Sequence, residues 1–145
     1  MVNLAGRKGR MISYEEIDHP EFKYRLFRDY SHYTSLIGYD VDTEFLRLTT
    51  YGLLTFKAGY MWDGATGPAI DTVDNMRASL VHDGFCQLIN EKRLPFKVRK
   101  YADYLLRTIF IEDGKYYGRR FVTLRAWYFY LSVSAYREYI ARFKS

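Results

Sequence analysis

The chain of 145 residues is poor in the groups that staple or metallate small domains, with one cysteine, Cys86, and three histidines, His19, His32 and His82. A single thiol excludes an intrachain disulfide, and this set is too small for a structural zinc cluster. A reducing site of synthesis is the default that follows. A secretory leader is not expected, because the basic stretch Met1 to Arg10 runs into Glu15, Glu16 and Asp18 rather than an apolar segment. The longest uncharged stretch in the C-terminal half is Ala126 to Tyr136. That is well short of the ~20 apolar residues a membrane-spanning helix needs, so a soluble protein without a transmembrane segment is expected. Internal repeats and low-complexity tracts are lacking as well.

What the sequence has in quantity is aromatic and basic. Fifteen tyrosines and ten phenylalanines accompany a net charge of +5. Tyrosine buries area while keeping a polar tip, which suits an assembly interface. The cations gather at the ends: Arg7, Lys8 and Arg10 at one, and Arg119, Arg120, Arg125, Arg137, Arg142 and Lys144 at the other. Such a balance fits a solvated basic surface and leaves room for an acidic partner such as nucleic acid.

The length matches one domain. Residues 1–10 read as a flexible basic arm, and residues 11–145 as a single α+β domain. Up to about residue 62 the pattern favours strands. Tyr24 to Asp29 and Glu44 to Thr50 alternate, and Leu53 to Lys57 follows across a Tyr51-Gly52 turn. An antiparallel β-meander buries one face and needs a cover, which the C-terminal half supplies as about three helices. The first is capped at Asn75 and runs to about Asn90; the second opens at Pro95 and runs through Phe110, with Asp113-Gly114 as its stop. The third runs to about Phe143, with Phe121, Leu124, Tyr128, Leu131 and Ala135 at helical spacing and Trp127, Phe129 and Tyr130 widening the apolar face.

Chemistry concentrates in two places. The segment Gly59-Tyr60-Met61-Trp62-Asp63-Gly64-Ala65-Thr66-Gly67-Pro68 is built to bend, and it aims Asp63 and Thr66 either into a cleft or onto backbone amides of a tight loop. On the first helix His82 shares a face with Ala78, Phe85, Cys86 and Ile89, so it points inward, and Asp83 lies beside that face. A buried imidazole requires hydrogen-bond partners, and neighbouring carboxylates suit either a satisfied core histidine or a general base. Asp103 is flanked at helical spacing by Arg99 and Arg107. It reads as an exposed ion pair, or, if the two helices cross antiparallel, as a second carboxylate for His82. Asp63, His82, Asp83 and Asp103 have metal-ligand chemistry without diagnostic spacing, so metal and cofactor stay unassigned. Cys86, on the inward face, reads as a buried small hydrophobe.

The order of Gly59 to Pro68, then Ala78-Ser79-Leu80-Val81-His82-Asp83-Gly84-Phe85, then Ala102-Asp103 resembles an uncharacterised phage and prophage family, domain of unknown function 1353. The likeness spans roughly residues 44–110. Thr66 takes the family's Ser/Thr place, Asp63 its loop aspartate, His82-Asp83 its helical pair and Asp103 its last acid. Gly67 between Thr66 and Pro68, and Gly84-Phe85-Cys86 after the His-Asp pair, depart from the pattern. The resemblance implies a phage origin, hence the virion or the host cytoplasm, and no mechanism. The adjacent His-Asp is also similar to that of secreted phospholipase A2, but the disulfides and calcium loop of that family are missing.

Two functions follow as expectations. The first is a structural or assembly role as a virion-associated component, with other phage proteins or a second copy as partner. Arg7, Lys8, Arg10, Trp127 and Tyr130 would be its contact residues, and nucleic acid would meet the basic arm. The second is a small hydrolase with His82 as general base, Asp83 or Asp103 orienting it, and Asp63 and Thr66 at the substrate, with or without a metal.

Overall fold

A computed structural model describes residues 1–64 and 71–143. The fold is α+β. Among the described residues eight strands come first: β1 (Asn3–Arg7), β2 (Arg10–Glu16), β3 (Tyr24–Leu26), β4 (Tyr30–Tyr33), β5 (Val41–Asp42), β6 (Leu46–Leu48), β7 (Leu53–Phe56) and β8 (Met61–Trp62). Three helices follow: α1 (Met76–Asn90), α2 (Val98–Tyr116) and α3 (Val122–Phe143). The chain divides into two compact units, Met1–Asp71 and Thr72–Ser145. Among the described residues no helix is long and apolar enough to cross a membrane.

In the N-terminal unit the expected single meander is two antiparallel four-stranded sheets, ordered β1-β2-β3-β8 and β4-β7-β6-β5. The alternation in the sequence sets the register. Leu46 and Leu48 face Phe56 and Leu54 across β6 and β7, and all four are buried. Tyr51-Gly52 turns the chain between them, with the Gly52 amide donating to the Thr49 carbonyl at 3.0 Å.

The segment expected to be a flexible arm is a strand. β1 pairs with β2 along its whole length, and Arg7 faces Arg10 across the two-residue turn Lys8-Gly9. Gly9 makes that turn with a φ of 80°. Ala5 and Ile12 are buried opposite each other and supply the apolar contact that the basic composition concealed. Arg7, Lys8 and Arg10 thus cluster at a hairpin tip.

In the C-terminal unit α2 packs against both α1 and α3. Partner residues run in opposite order along each pair, so the helices lie up, down and up. α1 and α2 both end on a left-handed residue, Lys92 with φ 63° and Gly118 with φ 64°. Each end is closed by paired amides: Lys92 and Arg93 donate to Ile89 and Leu88, and Gly118 and Arg119 to Lys115 and Gly114.

The stop expected at Asp113-Gly114 is therefore displaced to Gly118. Asp113 is buried inside α2 as an ion-pair partner, and Gly114 is a contact point, since a Cβ there would meet Val122 Cγ2 at 1.9 Å. Asn75 precedes α1 as expected, but its side chain makes no cap to the helix. Its Oδ1 accepts from the Thr72 amide at 3.0 Å instead.

The stripe expected to form the core face of α3 points the other way. Phe121, Leu124, Tyr128, Leu131 and Ala135 are exposed, whereas Val122, Ala126 and Val133 are buried. Both faces of α3 carry helical apolar periodicity. The small Ala126 and Val133 permit the closer approach to α2, so the bulkier stripe is left outside.

Candidate site in the three-helix unit

His82 sits on α1 and is buried, and its Nε2 donates to Asp103 Oδ1 on α2 at 2.7 Å. The other oxygen of Asp103, Oδ2, accepts from Arg137 Nη1 on α3 at 2.8 Å. One fully buried carboxylate on the central helix therefore receives a donor from each neighbouring helix. Asp83 Oδ1 stands 3.9 Å from His82 Nδ1. With both cations charged, His82, Arg137, Asp103 and Asp83 sum to zero, which is the condition under which charges survive burial.

Burial by itself drives the His82 ring toward its neutral form. The hydrogen bond to Asp103, reinforced by Asp83 and Cys86, outweighs burial and holds the pKa well above the ordinary histidine value. That balance favours the imidazolium over the neutral ring, and it is the neutral ring that acts as a general base. Cys86 Sγ lies 3.8 Å from Nδ1 and 3.9 Å from Nε2. Near-equal distances to both ring nitrogens put the sulfur off the axis of either N–H, so the Cys86, His82, Asp103 succession lacks the alignment of a nucleophile with its base.

The other sequence-derived candidates do not join this cluster in the same way. Asp63 is exposed, and Thr66 lies outside the described residues. Up to Gly64 the segment is held within the N-terminal unit. Trp62 is buried in an aromatic group with Tyr14, Tyr24 and Tyr60, and the Tyr24 hydroxyl donates to Asp71 Oδ2 at 2.5 Å. Burial and then that carboxylate push the Tyr24 phenol well above its ordinary value. Gly64, at φ 78°, passes directly beside this pair: a Cβ there would meet Asp71 Oδ1 at 2.6 Å and Tyr24 Cε2 at 2.7 Å. The Trp-Asp-Gly motif therefore has a packing explanation. Among the described residues no group of three or more His, Cys, Asp or Glu side chains is placed to hold a metal ion.

Asp103 is not the exposed pair with Arg99 and Arg107 but the second carboxylate for His82 that antiparallel helices allow, and it is buried. Arg99 lies over Tyr136 at 5.4 Å, and Arg107 lies 4.3 Å from the Trp127 ring centre and 4.5 Å from that of Tyr130. Two residues expected to contact a partner, Trp127 and Tyr130, thus hold α3 to α2 through a shared cation.

Sequence reasoning missed a second buried set. Arg77 on α1 is fully buried and donates to Asp113 through Nε at 3.0 Å and Nη2 at 2.8 Å, with Glu112 at 3.1 Å. Asp74, also buried, accepts from Arg125 of α3 at 2.7 Å and from the Thr72 hydroxyl. Burial raises the Asp74 pKa, but Arg125 and Thr72 outweigh that and hold it below its ordinary value. An available signal was Arg77 itself, a charge set among Met76, Ala78, Leu80 and Val81. The three helices are thus pinned at two levels, by Arg77, Asp113, Asp74 and Arg125 at one end and by His82, Asp103 and Arg137 further along.

No protein-family model, no curated protein and no solved structure matches this chain.

Proposed function

We propose that this chain is a non-catalytic assembly protein, a virion-associated component of a phage, acting in the particle or in the host cytoplasm. The phage assignment rests on the residue-level resemblance of Gly59 to Pro68, His82-Asp83 and Asp103. The observation that carries the assembly reading is the outward face of α3, where Leu124, Tyr128 and Leu131, with Phe121 just before the helix, are exposed while its opposite side is already packed. Exposed apolar stripes of that extent mark interaction surfaces. The cationic hairpin tip of Arg7, Lys8 and Arg10 adds a place for a nucleic acid or another anion.

The hydrolase reading ranks second. Asp103 favours the charged form of its base, His82, and its loop aspartate is exposed rather than buried. The test is quantitative mass spectrometry of purified particles. A fixed copy number, lost when Leu124 and Leu131 are both changed to Glu in a variant that still folds, is expected. Complete absence from particles, together with a turnover abolished by a folded His82→Gln variant, would put the hydrolase first.

A further inference from the structure

We infer that the outward face of α3 is closed by a second copy of the same helix, antiparallel, across a two-fold axis; this rests on the assembly reading and names its first partner. Leu124, Tyr128, Leu131 and Ala135 recur on α3 at alternating spacings of four and three residues, the seam of a helix pair, and Phe121 stands just before the helix. Phe121 is 73% exposed, Leu124 70% and Leu131 60%. Phe121 also holds a left-handed backbone, φ 54°, an uphill conformation for a bulky residue that is unexplained by any packing of its own ring. At about 100 Å² of exposed side chain apiece, half the burial of an aromatic, Phe121, Leu124, Trp127, Tyr128, Leu131 and Tyr139 offer about 600 Å². A standard interface takes ~800 Å² from each partner.

Charge favours one direction. Arg119 and Arg120 are exposed at the N-terminal end of α3, and at its C-terminal end the seam continues into Glu138, whose side chain is 72% exposed, and the exposed Arg142. A parallel pair sets every one of these charges against its own copy. The antiparallel pair places Tyr128 against Leu131 and Leu124 against Ala135 of the second copy, and brings Glu138 and Arg142 to the end where the second copy's Arg119 and Arg120 lie, so that Glu138 gains the opposite charge a parallel pair denies it. Like patches meet in a self-complementary, closed interface.

Sedimentation velocity on the full chain, from micromolar to millimolar concentration, tests this. A monomer–dimer equilibrium is expected. Leu131→Glu should abolish it with an unchanged circular dichroism spectrum, and Glu138→Arg should weaken it about tenfold. The triple variant Arg119→Glu, Arg120→Glu, Glu138→Arg should restore it, which only the antiparallel pairing allows. Open-ended oligomers, or a dimer indifferent to these charges, would overturn the arrangement. A monomer at every concentration would overturn the second copy. In that case loss of Leu131→Glu from particles leaves the assembly reading standing with another occupant, whereas normal incorporation of that variant removes both.

Discussion

His82 and Asp103 meet at 2.7 Å in the interior of the three-helix unit, and the free oxygen of the same carboxylate is held by Arg137. The pair therefore ties α1 to α2 while Arg137 ties in α3. Groups placed in this way bear on stability first, and a change costs most where it leaves a buried charged partner stranded.

His82→Ala removes one of the two donors to Asp103 and leaves Arg137. The expected loss is about 2–3 kcal/mol, below the 3–5 typical of stripping a buried charge completely. Urea denaturation measures it. A variant as stable as the parent would remove the structural role assigned to this pair.

Stability should fall at both pH extremes for separate reasons. His82 has a raised folded pKa, so its contribution is complete below 6.5, the unfolded value, and is lost as pH rises through the folded one. Asp74 has a lowered folded pKa, so its contribution is complete above 3.8 and is lost as pH falls through the folded value. Melting temperatures against pH should show a flatter alkaline limb in His82→Gln and a flatter acid limb in Asp74→Asn. Parallel curves for parent and variants would contradict both assignments.

Arg77→Met leaves Asp113 buried beside a hydrocarbon, with an expected cost of about 3–5 kcal/mol. Adding Asp113→Leu should recover most of that loss, because a matched apolar pair carries no desolvation penalty. Chemical denaturation of both variants provides the comparison, and a double variant no more stable than the single would show that the charges do more than satisfy each other.

Gly114→Ala places a methyl group where Val122 already stands, 1.9 Å from Cγ2. A loss of about 1–3 kcal/mol is expected, despite the better helix propensity of alanine. Val122→Ala in the same chain should return part of it. An alanine variant of undiminished stability would mean that α3 moves aside at little cost.

Much of this architecture was legible where local pattern and burial agree. The alternation around Leu46 to Phe56 gives β6, β7 and their turn, and the spacing of Ala78, His82, Phe85 and Ile89 gives α1 with its histidine inward. Readings failed where one residue serves two purposes. Asp113-Gly114 looks like a stop because both residues disfavour helices, yet Arg77 and Val122 require them inside α2. In α3 two apolar stripes compete, and only the size of Ala126 and Val133 decides which one packs. The hairpin β1–β2 was hidden because Arg7, Lys8 and Arg10 dominate a short segment whose apolar contact, Ala5 with Ile12, is small. Asp103 needed the third helix: nothing local says that its arginine is Arg137 rather than Arg99 or Arg107.

His82 ties α1 to α2 through Asp103, and that bond works against burial to favour the charged ring. Nuclear magnetic resonance of the imidazole nitrogens, titrated through neutral pH, reads the state of the ring directly. The expected result is an imidazolium with both nitrogens protonated well above pH 6.5, and with the Nε2 proton shifted by its bond to Asp103. A ring that is neutral at pH 7, titrating at or below the ordinary histidine value, would contradict the account and return His82 to the role of proton acceptor.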